Sequence, residues 1–207
     1  RRSNANMLSY ASIMANDADA GVRRDVALSL RPYNAEQTLD IFAKLAKGFD
    51  GVDKNYVESI GLGAALKENE IWTGLKAKLV TGDALSWSDS FAKLTWRLWP
   101  SVAIDDLKQR VLSDTLTEEQ RKFAVESIAF IDDAKAPDAL FELGTQVENA
   151  AVKEAVVEWL TRRGLTQWGK YDIAARLKSS GIYDPDSIVL VAATLPEETE
   201  ESKLNIE

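Results

Sequence analysis

Apolar residues recur at helical spacing along almost the whole chain. Leu8, Ile13 and Met14 give the inward face of a helix from Ala5 to Ala15. Asp17-Ala18-Asp19 makes a turn and an N-cap, because a short carboxylate accepts from free backbone N–H groups. Val22, Val26, Leu28 and Leu30 form the next face, ended by Pro32. Asn34 caps a helix from Ala35 to Lys47, with Leu39, Phe42, Leu45 and Ala46 inward and Gly48 as its stop. Asp53 caps a face of Tyr56, Val57, Ile60 and Leu66, interrupted by Gly61 and Gly63. Glu70 to Val80 follows with Ile71, Trp72, Leu75 and Leu79 inward. Ser88 or Asp89 then opens a helix carrying Phe91, Leu94, Trp96 and Leu98. Pro100 separates that helix from one with Val102, Ile104, Leu107, Val111 and Leu112. Thr117 and Gln120 have the spacing of a capping box before Phe123, Ala124, Ile128 and Ile131. Pro137 suits a first helical turn ahead of Leu140, Phe141 and Leu143. Asn149 to Arg163, stopped by Gly164, and Tyr171 to Ser180, stopped by Gly181, complete the pattern.

About eleven helices joined by short loops predict an all-α chain, and the pattern repeats itself. Val22-Arg23-Arg24-Asp25-Val26 through Leu30 is echoed by Val152-Lys153-Glu154-Ala155-Val156 through Leu160. Gln120-Arg121-Lys122-Phe123 through Ile128 is a looser copy. These stretches resemble the second helix of a HEAT repeat, and Asp17 to Leu30 matches best. The resemblance implies a right-handed α-α superhelix of HEAT or armadillo type over residues 1–181. At ~40 residues per unit the chain would hold about five units. One helix pair cannot bury its apolar face alone, so stacked neighbours share a core. The basic residue after each Val is placed to reach the Asp of an adjacent turn. The alternative is an irregular all-α domain with a coincidental repeat.

After Gly181 the character changes. Ser187-Ile188-Val189-Leu190-Val191 reads as one extended segment. Glu197, Glu198, Glu200 and Glu201 then make 182–207 an acidic linker.

Composition removes several chemistries. The 207 residues include no cysteine and no histidine. That excludes, within this segment, a Cys/His zinc site, a thiol nucleophile and any histidine-based triad. With 33 acidic and 25 basic residues the net charge is -8, the wrong sign for a nucleic-acid stripe. No apolar run reaches the ~18–20 residues that span a bilayer. The chain begins at Arg1, not Met, so it reads as a fragment or a mature piece.

Few residues stand out as a site. Four of the six tryptophans lie between Trp72 and Trp99. Trp72 and Trp96 read as core. Trp87, in Ser86-Trp87-Ser88, and Trp99 are the candidate interaction residues, since Trp is enriched at binding hot spots. Asp105/Asp106, Asp132/Asp133 and Asp184/Asp186 are paired carboxylates, better explained as caps than as acid/base groups. Asp50 to Asp53 and Asp184 to Asp186 lack the full ligand set of a calcium loop. Gly61-Leu62-Gly63 has no preceding strand, so it marks close helix approach instead of a phosphate loop. No catalytic, cofactor-binding or metal-binding residue is assigned.

Three longer stretches carry a second resemblance. Leu45 to Gly61 (LAKGFDGVDKNYVESIG), Phe91 to Pro100 (FAKLTWRLWP) and Gln120 to Ile131 resemble large bacterial multidomain proteins. These are the haem-binding, membrane-associated dehydrogenase-like proteins of the PVC-type CxxCH family. Tyr183-Asp184-Pro185-Asp186 and Glu201-Ser202-Lys203-Leu204 resemble the linker before that family's cytochrome domain. The resemblance implies a non-catalytic helical scaffold between a dehydrogenase-like β-propeller and a cytochrome c-like domain. It implies an exported, periplasmic location and protein partners, either neighbouring domains or another chain. Haem c would belong to an adjacent domain, since this segment has no CxxCH. A free-standing HEAT-type adaptor is the alternative, and an all-α enzyme using carboxylates is a third.

Overall fold

The computed structural model describes residues 4–182, and they form an all-α fold. Eleven helices follow one another: α1 (Asn4–Met14), α2 (Ala20–Ser29), α3 (Ala35–Lys47), α4 (Lys54–Gly63), α5 (Glu68–Leu79), α6 (Asp89–Leu98), α7 (Ile104–Leu112), α8 (Glu118–Phe130), α9 (Lys135–Gln146), α10 (Ala150–Gly164) and α11 (Ile173–Ser180). Short 3-10 turns at Ala84–Ser86, Ser101–Ala103 and Gly169–Tyr171 lie between them. The expected extended run at 187–191 and nearly all of the acidic linker lie outside the described residues. Ile182, expected in the linker, packs against Gly144 of α9.

Local chemistry sets the helix starts. Asp19 accepts from the Gly21 N–H at 2.6 Å, and Asn34 from the Gln37 N–H at 2.9 Å. Asp53, Ser88 and Asn149 cap α4, α6 and α10 in the same way. Thr117 and Gln120 form the reciprocal capping box of α8. Each side chain satisfies an N–H that the helix itself cannot pair.

Alternate helices lie side by side. α2, α4, α6, α8 and α10 form one continuous row, each against the next. α1, α3 and α5 make a second row, as do α7, α9 and α11. Between these two stretches α5 meets the Ser101–Ala103 turn that leads into α7, and Lys76 of α5 pairs with Asp106 of α7. Gly63 allows the closest approach in the first row. A Cβ there would lie 2.0 Å from the Ala27 carbonyl oxygen of α2. Arg24 of α2 pairs with the Asp53 cap of α4 at 3.2 Å, whereas Arg23, the residue expected to reach an adjacent Asp, donates to the Asp17 and Ala18 carbonyls and to the Tyr56 hydroxyl.

Several residues expected inside are outside. Ile13 is 72% exposed, and Met14, Leu28, Val102 and Leu112 are also exposed. Among the described residues α1 packs mainly on α2 and α3, and part of its apolar surface is left exposed. Leu66 is 95% exposed because α4 ends at Gly63 and Leu66 takes a left-handed φ of 70°. That turn drives the next residue inward. Lys67 Nζ donates to the carbonyls of Leu30 (3.0 Å), Arg31 (3.2 Å) and Tyr33 (2.7 Å), just beyond the end of α2. A cation there meets carbonyls that the helix leaves unpaired at its negative pole.

Candidate functional site

The two tryptophans singled out by sequence have different fates. Trp87 is only 5% exposed. It packs edge-on to Trp72 and Phe91, with ring centroids 6.0 and 5.2 Å away, and the Arg110 guanidinium lies 5.1 Å from its own. That burial leaves it no face to offer a partner, so the docking expectation is corrected to a core role. Trp72 is core as expected, its Nε1–H donating to Thr95 Oγ1 at 2.8 Å. Trp99 is 43% exposed and sits at the left-handed C-cap of α6. Its ring stacks on Phe130 at 6.1 Å, and the Arg97 guanidinium lies 5.0 Å from its centroid.

Trp99 belongs to a larger aromatic array that crosses the continuous row. Phe130 of α8 is its centre. Trp96 of α6 lies 5.7 Å from Phe130, and Trp159 of α10 lies 5.4 Å away on its other side. Phe123, two turns before Phe130 on α8, lies 6.3 Å from Trp96. Arginines brace the array. Arg163 sits 4.7 Å over Phe130 and donates through Nε to the Ala129 carbonyl at 2.6 Å. Arg162 lies 5.6 Å from the Trp159 centroid. Arg97 donates to Glu58 of α4 at 2.6 Å, and Gly61 leaves room for its guanidinium. Trp96, Phe123, Phe130 and Trp159 are all half-buried.

A cleft of about 300 Å³ opens at one end of this array. Phe49, Val57, Trp96 and Phe123 line its apolar wall, and Val52 stands at its rim. Glu58, Lys54, Lys93 and Glu126 supply its charge. Lys93 Nζ is held by the Gly51 carbonyl at 2.6 Å. Glu126 of α8 is half-buried, and burial raises its carboxyl above the usual range, opposed by the nearby Trp96 indole. The Trp96 Nε1–H is itself buried and meets no acceptor in hydrogen-bond geometry. Among the described residues no cation pairs with Glu126.

Several of the other acidic candidates are occupied. Asp50 accepts from the N–H groups of Val52 (2.7 Å) and Asp53 (2.9 Å), and those bonds, Asp53 first, hold its carboxyl below the usual range. Asp106 pairs with Lys76, and Asp133 accepts from the Lys135 N–H at 2.9 Å. Asp184 and Asp186 lie outside the described residues. Among those described, no group of three His, Cys, Asp or Glu side chains could hold a metal. No described helix is long and apolar enough to cross a membrane.

Sequence reading did not single out Phe130 or Trp159 as candidate site residues, and it placed Phe123 in the core, against which it packs half-buried. Their periodicity matches that of buried positions. Only the spacing of the even-numbered helices brings the rings together. No protein-family model matches the chain, and no curated protein matches it.

Proposed function

We propose that this chain is a helical-repeat scaffold whose work is protein binding, not catalysis. The observation that carries the reading is the aromatic array on α6, α8 and α10, with a cleft of about 300 Å³ at its end. Aromatic and arginine side chains concentrated at one surface are the composition of binding hot spots. The two-row packing of alternate helices is what a right-handed HEAT or armadillo superhelix would give. Trp99 is the anchor we assign at the edge of the array.

The parent protein, in this reading, is a haem-binding, dehydrogenase-like protein exported to the periplasm. This segment holds a catalytic domain beside a cytochrome c-like domain that carries the haem. The support is the sequence resemblance alone. The full open reading frame, expressed with c-type haem maturation, is expected to give a covalent haem signal in a reduced-minus-oxidised spectrum. No such signal would withdraw the redox setting and leave a free-standing adaptor.

The binding role has its own test. A photo-reactive amino acid in place of Val52 stands at the rim of the cleft. A photo-crosslinker there, in the full-length protein, is expected to join this segment to another domain or a second protein. Products confined to this segment would count against a binding face.

A further inference from the structure

We propose that the cleft between α4, α6 and α8 receives one cationic side chain, a lysine or arginine of a protein partner, with its charged head at Glu126. The inference rests on the protein-binding reading and names the chemistry the cleft selects.

Size comes first. A space of about 300 Å³ is at the small end of ligand pockets, and suits one long side chain better than a helix or strand. The wall comes second. Phe49, Val57, Trp96 and Phe123 offer apolar and aromatic surface. Long basic side chains lay their alkyl stems on such surface, and aromatic faces attract the cation itself.

Charge decides between a neutral and a cationic guest. Arg97 of α6 takes Glu58 of α4 at 2.6 Å. Lys93 of α6 is turned to the Gly51 carbonyl at 2.6 Å. Lys54 of α4 is exposed. That leaves Glu126 of α8 as the carboxylate in the cleft without an ion pair among the described residues. A half-buried carboxylate in apolar surroundings gains most from a partner that brings a positive charge. The net charge of -8 favours approach of a basic partner from a distance.

Two neutral-backbone probes isolate the charge. Nα-acetyl-lysine methylamide carries the ammonium, and Nα-acetyl-norleucine methylamide carries nearly the same stem without it. Each is titrated into the chain while the indole Nε1–H signal of Trp96 is followed by NMR. The lysine probe is expected to shift that signal saturably, with a dissociation constant on the order of 1–10 mM, as befits one side chain. The norleucine probe should bind about tenfold more weakly, which corresponds to ~1.4 kcal/mol. Glu126→Gln should abolish that preference. Equal binding of both probes, or a preference that survives Glu126→Gln, would overturn the cationic assignment and leave the cleft as an apolar anchor site. No shift with either probe at tens of millimolar would overturn the cleft as a side-chain pocket. The crosslink from position 52 still decides, separately, whether this face binds protein at all.

Discussion

Glu126 carries a conflict between stability and binding within one carboxyl group. Burial makes its folded form hold a proton more tightly than the unfolded chain does. Its contribution to stability is therefore complete below the ordinary Glu range. It is lost as pH rises through the raised folded value. Glu126→Gln keeps the shape and removes the ionisation. We expect the variant to melt at a higher temperature than the parent at neutral pH. The gap should close in acid, below the ordinary Glu range. A gap that persists or widens in acid would place the effect elsewhere than in this carboxyl. Trp87 and Trp99 make a second pair of contrasting residues. Trp87→Ala opens a cavity beneath Trp72 and Phe91, and should cost about 3–5 kcal/mol in denaturant unfolding. Trp99→Ala gives up a half-exposed ring, and should cost less than about 1.5 kcal/mol. That smaller figure is the value of an aromatic pair. Sequence could not separate the two, because both sit outside regular helical periodicity. Their fates depend on which helices flank the loop, and that is a tertiary fact.

The helices reveal what periodicity can and cannot show. α3 has a clean apolar face, and Ile41, Phe42, Leu45 and Ala46 are all buried. α1 reads equally apolar, yet Tyr10 and Ile13 are exposed because nothing in the described chain covers that side. The caps were legible from single residues, since Asp19, Asn34, Asp53, Thr117 and Asn149 act within three positions of themselves. Gly48 and Gly181 were legible as the ends of α3 and α11 in the same way, but the long-range capping of other helix ends was not. Lys67 caps carbonyls at the end of α2 from more than thirty positions away, at the Leu30, Arg31 and Tyr33 oxygens. Arg121 reaches the Val111 carbonyl of α7 at 2.8 Å, and Arg163 the Ala129 carbonyl of α8 at 2.6 Å. Some of the basic charge is thus spent on helix ends, which a charge count cannot reveal. Lys67→Met keeps the alkyl stem but strands those acceptors. Leaving such a group unpaired costs ~1–3 kcal/mol. Urea unfolding should show a lowered midpoint with an unchanged slope. A loss under about 0.5 kcal/mol, the usual range of surface substitutions, would mean that water replaces the ammonium.

At the scale of the whole molecule, each helix of the continuous row touches its neighbours in that row and the helices next to it in the chain. Stability in such an array is a sum of nearest-neighbour terms, and damage stays near its origin. Phe130 is the residue best placed to test this. Its ring contacts Trp96 and Trp99 on the α6 side and Trp159 on α10, so it bridges three helices of one row. Phe130→Ala removes all three contacts at once. Truncating a buried phenylalanine costs ~3–5 kcal/mol, and a half-buried one should fall at or below the lower end. Amide hydrogen exchange reads where that loss is felt, because local opening reports local stability. We expect faster exchange in α6, α8 and α10, and unchanged protection in α2, α3 and α4. The limited contact between α5 and α7, made through the Ser101–Ala103 turn and the Lys76–Asp106 ion pair, should act as a second barrier to its spread. Uniform loss of protection from α2 to α10 would instead mark a single cooperative core. In that case the repeat seen in the sequence would say nothing about how the molecule is held together.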